Sequence, residues 1–335
     1  MILNKKRTQA APITLQDVWK AKLRIGQMLS KTPLCYSPVL SKQTNNHIYL
    51  KYEHLHEGGA FKVRGAVNSL LSLTTEERKR GVATFSTGNH GLAIALTAKK
   101  LGIPATICVS NRVPDAKLEQ IRTLGASLEI YGESQDEAEN RCYQLQEKQK
   151  LTVIPPFDYL DVIAGQGTIG LELLEDLPAI DCVIAGLSGG GLLSGIGLVM
   201  KETNPSINVY GVSMEKGAVM HASLKAGHPI SLREDNTLAD SLLGGLGENN
   251  QYTFPLIQKY LDNSALIPES SIAKGMAYLY KYHRIVVEGA AAIGVGAILD
   301  SHLSFEDKNI VVIISGCNVG LTEHARAIQP YLTTL

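Results

Sequence analysis

The chain reads as an α/β protein built on two doubly wound parallel sheets covered by helices. Two observations predict this class. Short β-branched runs alternate with amphipathic stretches that carry helix start and stop signals, the signature of successive βαβ units. Ile310 to Ile314 is an unbroken apolar run, as expected of a strand buried on both faces.

The first series runs through the middle of the N-terminal half. Val82 to Phe85 is a strand, and Leu92 to Leu101 is a helix closed by Gly102. Ala105 to Val109 is the next strand. The helix after it, Pro114 to Leu124, has proline at its start and Gly125 after its end. Leu128 to Tyr131 is a strand, Gln135 to Lys148 a helix and Thr152 to Ile154 a strand. Pro155-Pro156-Phe157 marks the join between the two sheets. The second series begins with a helix at Ile169 to Glu175. A strand at Cys182 to Ala185, a helix at Leu192 to Met200 and a strand at Val209 to Val212 follow. Ala218 to Ala226, Ile272 to Tyr282 and Ala290 to Leu299 are helices. Ser231 to Asn250 is polar and glycine-rich, an excursion or a loop over the site.

Composition excludes several function classes. Of 335 residues, 44% are hydrophobic and 19% charged, a globular balance. Lys plus Arg and Asp plus Glu are 32 each, so no broad field attracts a polyanion, and nucleic acid is not expected as a partner. The five cysteines are scattered without a C-x-x-C pair, which argues against a disulfide scaffold or zinc site and for a reducing compartment. Met1 to Arg7 is basic but no apolar core follows, and no apolar run is long enough to span a bilayer. A cytoplasmic protein without membrane association is expected.

Four segments carry chemistry. In Gly58-Gly59-Ala60-Phe61-Lys62-Val63-Arg64-Gly65, helical spacing after Lys62 puts that lysine in the first turn of a helix. The positive end of the helix dipole and partial desolvation both favour the neutral amine, which can form a Schiff base. A surface lysine at a helix start would look the same in isolation. Ser86-Thr87-Gly88-Asn89-His90-Gly91 lies between a strand and a helix, where hydroxyls and freed N–H groups can hold a carboxylate. An ordinary capped turn fits that segment alone, and a lone histidine such as His90 is more often structural than a base. Ser188-Gly189-Gly190-Gly191-Leu192 has three glycines that let several N–H groups face one point, which suits a phosphate. It lacks the Lys-Ser/Thr of a P-loop. Ser315-Gly316-Cys317-Asn318 follows the central strand directly and places Ser315 at its carboxyl end.

Taken in this order, the segments resemble the fold-type-II pyridoxal-phosphate family, in its threonine/serine dehydratase branch. Lys31-Thr32-Pro33-Leu34, Gly165-Gln166-Gly167-Thr168 and Val287-Glu288-Gly289-Ala290 extend the resemblance from about Thr14 to Ile328. It implies a tryptophan-synthase-β-like fold: a large cofactor-binding domain from 1–75 and 158–335, a small domain at 76–157, and the cofactor in the cleft between them. It also implies roles. Lys62 would carry pyridoxal 5'-phosphate and act as base on the substrate Cα. Phe61 would pack beside the ring, Asn89 would contact the ring hydroxyl, Ser315 would face the ring nitrogen and Glu288 would line the rim. Ser188, Gly189, Gly190, Gly191 and Leu192 would bind the phosphate. Ser86, Thr87, Gly88, Asn89 and His90 would hold the substrate carboxylate, with Ser241 in the substrate pocket. The reaction implied is β-elimination from a β-hydroxy amino acid to a 2-oxo acid and ammonia, in a homodimer.

Departures from the family pattern sharpen the expectation. Thr87 stands where serine racemases carry an acid/base serine, which argues against racemisation. Phe-Lys-x-Arg-Gly at Phe61 to Gly65 argues against a β-replacement synthase. Ser213, Gly217 and Val219 fall where cation-binding relatives have Glu, a backbone ligand and Asp, and with both carboxylates missing no divalent metal is expected there. Asp240-Ser241 replaces the usual Asp-Gly beside the ring. Thr237 to Ser241, the turn at Ser86 to Gly91, Ile154 to Asp158, Leu187 to Gly191 and Gly211 to Glu215 resemble the hydroxyectoine-utilisation dehydratase branch. A C-terminal regulatory domain is not expected. A racemase, a β-replacement synthase and a non-catalytic cofactor-binding protein remain the alternatives.

Overall fold

The structure is a computed structural model and describes residues 13–333 except Thr87, Pro114 and Glu248. The N-terminal part comprises α1 (Leu15–Ile25), β1 (Leu34–Tyr36), α2 (Pro38–Thr44), β2 (His47–Tyr52), α3 (Lys62–Ser72) and α4 (Thr75–Arg80). A first βα series follows: β3 (Val82–Thr84), α5 (Asn89–Leu101), β4 (Ala105–Val109), α6 (Asp115–Thr123), β5 (Ser127–Ile130), α7 (Gln135–Gln149) and β6 (Thr152–Val153). A second series begins with α8 (Leu160–Asp176), β7 (Cys182–Gly186), α9 (Gly191–Thr203), β8 (Asn208–Met214) and α10 (Val219–Ala226). It ends with α11 (Thr253–Tyr260), β9 (Asn263–Ile267), α12 (Glu269–Tyr278), α13 (Gly289–Leu299), β10 (Asn309–Ile314) and α14 (Leu321–Ile328).

The strands form two sheets. One has the order β1-β2-β10-β7-β8-β9 and the other β5-β4-β3-β6. Every pairing is parallel except β1 with β2. Helical crossovers cover both faces of the larger sheet, and β10 shows the consequence. Val311 and Ile313 enter one apolar core while Ile310, Val312 and Ile314 enter the other. Successive side chains leave a strand on opposite faces, so a strand covered on both sides is apolar throughout.

Both sheets reverse direction once. In the larger, β7, β8 and β9 run outward from one side and β10 lies on the other. In the smaller, β3, β4 and β5 run one way and β6 flanks β3 on the other side. Crevices form beyond the carboxyl ends of strands at such reversals. The turns at these points are those after β7, β10, β3 and β6, which hold Ser188, Ser315, Ser86 and Pro156.

The helix expected from Ile169 begins at Leu160 instead. Two glycines in its first half, Gly165 and Gly167, hide the helical pattern, and close crossings require them. A Cβ on Gly165 would lie 2.6 Å from the Arg64 carbonyl oxygen, and one on Gly195 would lie 2.5 Å from the Ile163 carbonyl oxygen. Gly65, Gly165, Gly167 and Gly195 thus let α3 and α9 pack closely on α8. No helix among the described residues is long and apolar enough to cross a membrane.

Candidate active site

Lys62 is the first residue of α3, and a backbone clasp fixes that start. Phe61 N–H donates to the Ser315 carbonyl and Cys317 N–H to the Gly59 carbonyl, with an antiparallel bridge between Ala60 and Gly316. The lysine therefore lies beside the end of β10. Its Nζ donates across to the smaller sheet, 2.7 Å from the Pro156 carbonyl oxygen, and lies 5.4 Å from the centre of the Phe61 ring. Desolvation pushes the ammonium down to about 8, and the Glu288 carboxylate opposes that only in part.

The turn after β3 leads directly into α5, which begins at Asn89. A Cβ on Gly91 would overlap the Ser86 carbonyl oxygen, so the turn closes this tightly only with glycine there. Asn89 spans the cleft. Its Nδ2 donates to both Glu288 carboxylate oxygens, at 3.0 and 3.1 Å. Its Oδ1 accepts from Asn318 Nδ2 at 2.7 Å, and Asn318 also donates its backbone N–H to Glu288 and its amide to the Gly58 carbonyl. Glu288 is buried at the N-cap of α13. Desolvation raises its carboxyl to about 7, against the lowering by Asn89.

His90 sits behind this network, buried, with Nε2 3.0 Å from the Ile154 carbonyl oxygen. Burial, and then the Lys62 charge, hold the imidazole down to about 3. The ring is neutral throughout the ordinary pH range. Thr87 lies outside the described residues.

The glycine turn after β7 caps α9. Gly190 has a φ of +88°, in the left-handed region. A Cβ on Gly189 would overlap the Phe157 ring, and one on Gly191 would lie 3.1 Å from the Phe157 Cα. The first N–H groups of a helix have no intrahelical partners, so this end presents donors and a positive dipole. Ser315 is buried at the end of β10, one β-strand position from the turn that follows β7. Ser241 lies in a short 3₁₀ turn, Asp240–Leu242, where its hydroxyl donates to Asp240 Oδ1 at 3.4 Å, and it helps to hold the Glu288 carboxyl down.

Burial, an amine held near neutrality, an anion-suited helix start and a glycine turn packed too closely on Phe157 to admit side chains are features that suit a phosphorylated aldehyde cofactor. The residues present fit pyridoxal phosphate. Three residues here received no role from the sequence: Asn318, Pro156 and Phe157. The signal for the last two was a di-proline directly after a strand, which read as a join and as part of a branch-like segment but not as a site. Among the described residues, no group of three or more His, Cys, Asp or Glu is placed to hold a metal ion.

Comparison with known proteins agrees with this geometry. The family model described as pyridoxal-phosphate dependent enzyme matches residues 25–316. The chain is 41% identical over 317 residues to a putative threonine dehydratase of Sinorhizobium fredii, covering 95% of this chain and 96% of that one. It is 40% identical to the L-threonine ammonia-lyase of Thermotoga maritima, covering 95% and 78%. Among solved structures, maize serine racemase superimposes with a TM-score of 0.88 at 33% identity, covering 96% and 99%. Threonine deaminase isoform 2 of Solanum lycopersicum does so with 0.86 at 30%, covering 98% and 94%. The chain belongs to the pyridoxal-phosphate-dependent enzymes of fold type II. Within them it is a threonine-dehydratase-like enzyme whose cofactor is pyridoxal phosphate.

Proposed function

We propose that this enzyme is a dehydratase and ammonia-lyase that converts a β-hydroxy α-amino acid into a 2-oxo acid and ammonia. The observation that carries this reading is Lys62, a desolvated amine set where the switch points of both sheets meet. The cofactor, when bound, supplies the electron sink that weakens the substrate Cα–H bond. In this reading the N–H groups of Ser188, Gly189, Gly190, Gly191 and Leu192 hold its phosphate. Phe61 packs beside its ring, Asn89 contacts the ring hydroxyl, Glu288 lines its rim and Ser315 faces the ring nitrogen. A serine at that place, unlike an aspartate, would not enforce a protonated ring nitrogen, which would moderate the electron sink and favour elimination over transamination.

The turn Ser86, Thr87, Gly88, Asn89 and His90 holds the substrate carboxylate with hydroxyls and backbone donors, and so orients the Cα–H bond toward Lys62 Nζ. Lys62 takes the Cα proton and, as the β C–O bond breaks, returns that proton to the departing oxygen, so that water leaves and the amine is regenerated. The released enamine then hydrolyses to oxo acid and ammonia. Ser241 shapes the pocket for the β-substituent. Its presence supports a substrate other than plain threonine, in the class of hydroxyectoine-derived hydroxy amino acids. We read the two sheets as the cores of two domains, 1–75 with 158–335 and 76–157, in a cytoplasmic homodimer.

Similarity to serine racemases favours one second reading, racemisation at the same lysine. The test incubates the holoenzyme with threonine, serine, 3-hydroxyaspartate, 3-phenylserine and hydroxyectoine-derived amino acids, and follows oxo acid and the chirality of recovered substrate. Oxo acid from at least one substrate is expected. No oxo acid from any of them, with racemised serine, would replace the lyase by the racemase.

A further inference from the structure

The segment Ile154-Pro155-Pro156-Phe157-Asp158 links the two sheets, and it touches each part of the site. The Ile154 carbonyl accepts from His90 Nε2, and the Pro156 carbonyl accepts from Lys62 Nζ. The Phe157 ring packs on Gly189 of the glycine turn. Asp158 accepts from the backbone N–H groups of Gln251, Tyr252 and Thr253 at the start of α11.

The chemistry of the strip follows from its sequence. Neither proline has an N–H, and the Ile154 N–H is already given to the Ala83 carbonyl at 2.9 Å. Three successive residues therefore offer Lys62 and His90 acceptors and no free donor. Residues before proline are held extended, so Ile154 and Pro155 are stiff. The strip is pinned upstream by Ala83 and His90 and downstream by Phe157 and Asp158. A carbonyl can only accept, so the His90 Nε2 carries the ring's proton, and the Nδ1 faces the interior without a protein partner.

We infer that the Pro156 carbonyl is the docking point for the Lys62 amino group whenever that group is not bonded to the cofactor, and that His90 is a positioning residue that holds the strip in place through Ile154. A lysine that has taken a proton from substrate is a buried ammonium and needs an acceptor close by. Pro156 supplies one that cannot itself ionise and so cannot keep the proton. The titratable groups facing Nζ are Glu288 at the N-cap of α13 and neutral His90 on α5, with the Phe61 ring beside it. This inference rests on the reading of Lys62 as the cofactor lysine.

The test uses the full-length chain stripped of cofactor. Cyanate reacts only with neutral amines, and peptide mass spectrometry reads its rate at Lys62 as a function of pH. The wild-type profile should break near pH 8. Replacing Phe157 by its α-hydroxy analogue, phenyllactic acid, turns the Pro156 carbonyl into an ester, a weaker acceptor of the same shape. The break should then move down by about half a pH unit or more. His90→Phe should move it the same way, and His90→Gln, which keeps a side-chain donor, should restore it. Circular dichroism checks that each variant is folded. An unmoved break in the ester form would overturn the docking, and like behaviour of the Phe and Gln variants would overturn the role of His90. Failure of the lysine assignment itself shows separately: borohydride reduction of the wild-type holoenzyme would then leave Lys62 unmodified.

Discussion

Replacing Arg64 by methionine removes the centre of a buried ionic network two residues beyond Lys62. Arg64 is fully buried and donates to Glu53 at 2.7 and 2.8 Å and to Glu172 at 2.6 and 2.8 Å, with Thr168 as a further partner at 3.1 Å. Glu172 keeps Lys51, 2.6 Å away, when Arg64 is lost, but Glu53 keeps only Thr32 and the His56 ring. Breaking a buried pair from one side costs about 3–5 kcal/mol, because a desolvated charge is left behind. The pH dependence carries the sharper test. In the wild type, burial alone would raise the Glu53 carboxyl, and the Arg64 guanidinium reverses this to about 2. A depressed carboxylate contributes stability above about pH 4.5, and that contribution fades as pH falls towards 2. Without Arg64, burial dominates, the Glu53 pKa rises above its usual value and its term changes sign. The neutral His56, held down by burial in the wild type, becomes easier to charge beside Glu53. Urea unfolding at pH 7.5 should therefore show a loss of about 3–5 kcal/mol that narrows at pH 5. A loss below about 1 kcal/mol, or a gap independent of pH, would refute the reasoning.

Two further outcomes are expected. Gly91→Ala must displace the Ser86 carbonyl and with it the whole turn, so kcat/KM should fall by about 100-fold or more even where the protein still folds; near-normal kinetics would show that the turn has slack. Ser241→Gly opens the pocket, so the ratio of kcat/KM for 3-phenylserine over threonine should rise by about tenfold, and an unchanged ratio would remove Ser241 from the substrate side.

The strands that read clearly in the sequence were those whose burial needs no partner chemistry, such as β3, β7 and β10. β2 escaped notice because Lys51 interrupts its apolar pattern. In the fold that lysine is buried, bonded to Glu172 and to the Thr32 carbonyl, which no local pattern records. The first half of α8 was hidden by glycines whose reason lies in the helices crossing it. The turns after β3, β7 and β10 were legible as ligand-suited turns, since glycine, hydroxyls and strand ends are local features. Their convergence was not legible from local pattern and entered only as what the family resemblance implies. The bonds from Lys62 to Pro156, and from Asn89 to Glu288 and Asn318, join residues 94, 199 and 229 positions apart. Such contacts depend on which strand sits beside which, and neither periodicity nor propensity sets that order.

The central claim is that Lys62 is the amine on which this enzyme's chemistry turns. The most direct measurement reduces the holoenzyme with borohydride, maps the modified peptide, and in parallel follows oxo-acid release by wild type and Lys62→Ala with threonine and the bulkier hydroxy amino acids. The account predicts a reduced pyridoxyl group on Lys62 and oxo acid from the wild type, with no release above background from the variant. A pyridoxyl group on another lysine, or a Lys62→Ala variant that still releases oxo acid at the wild-type rate, would contradict it.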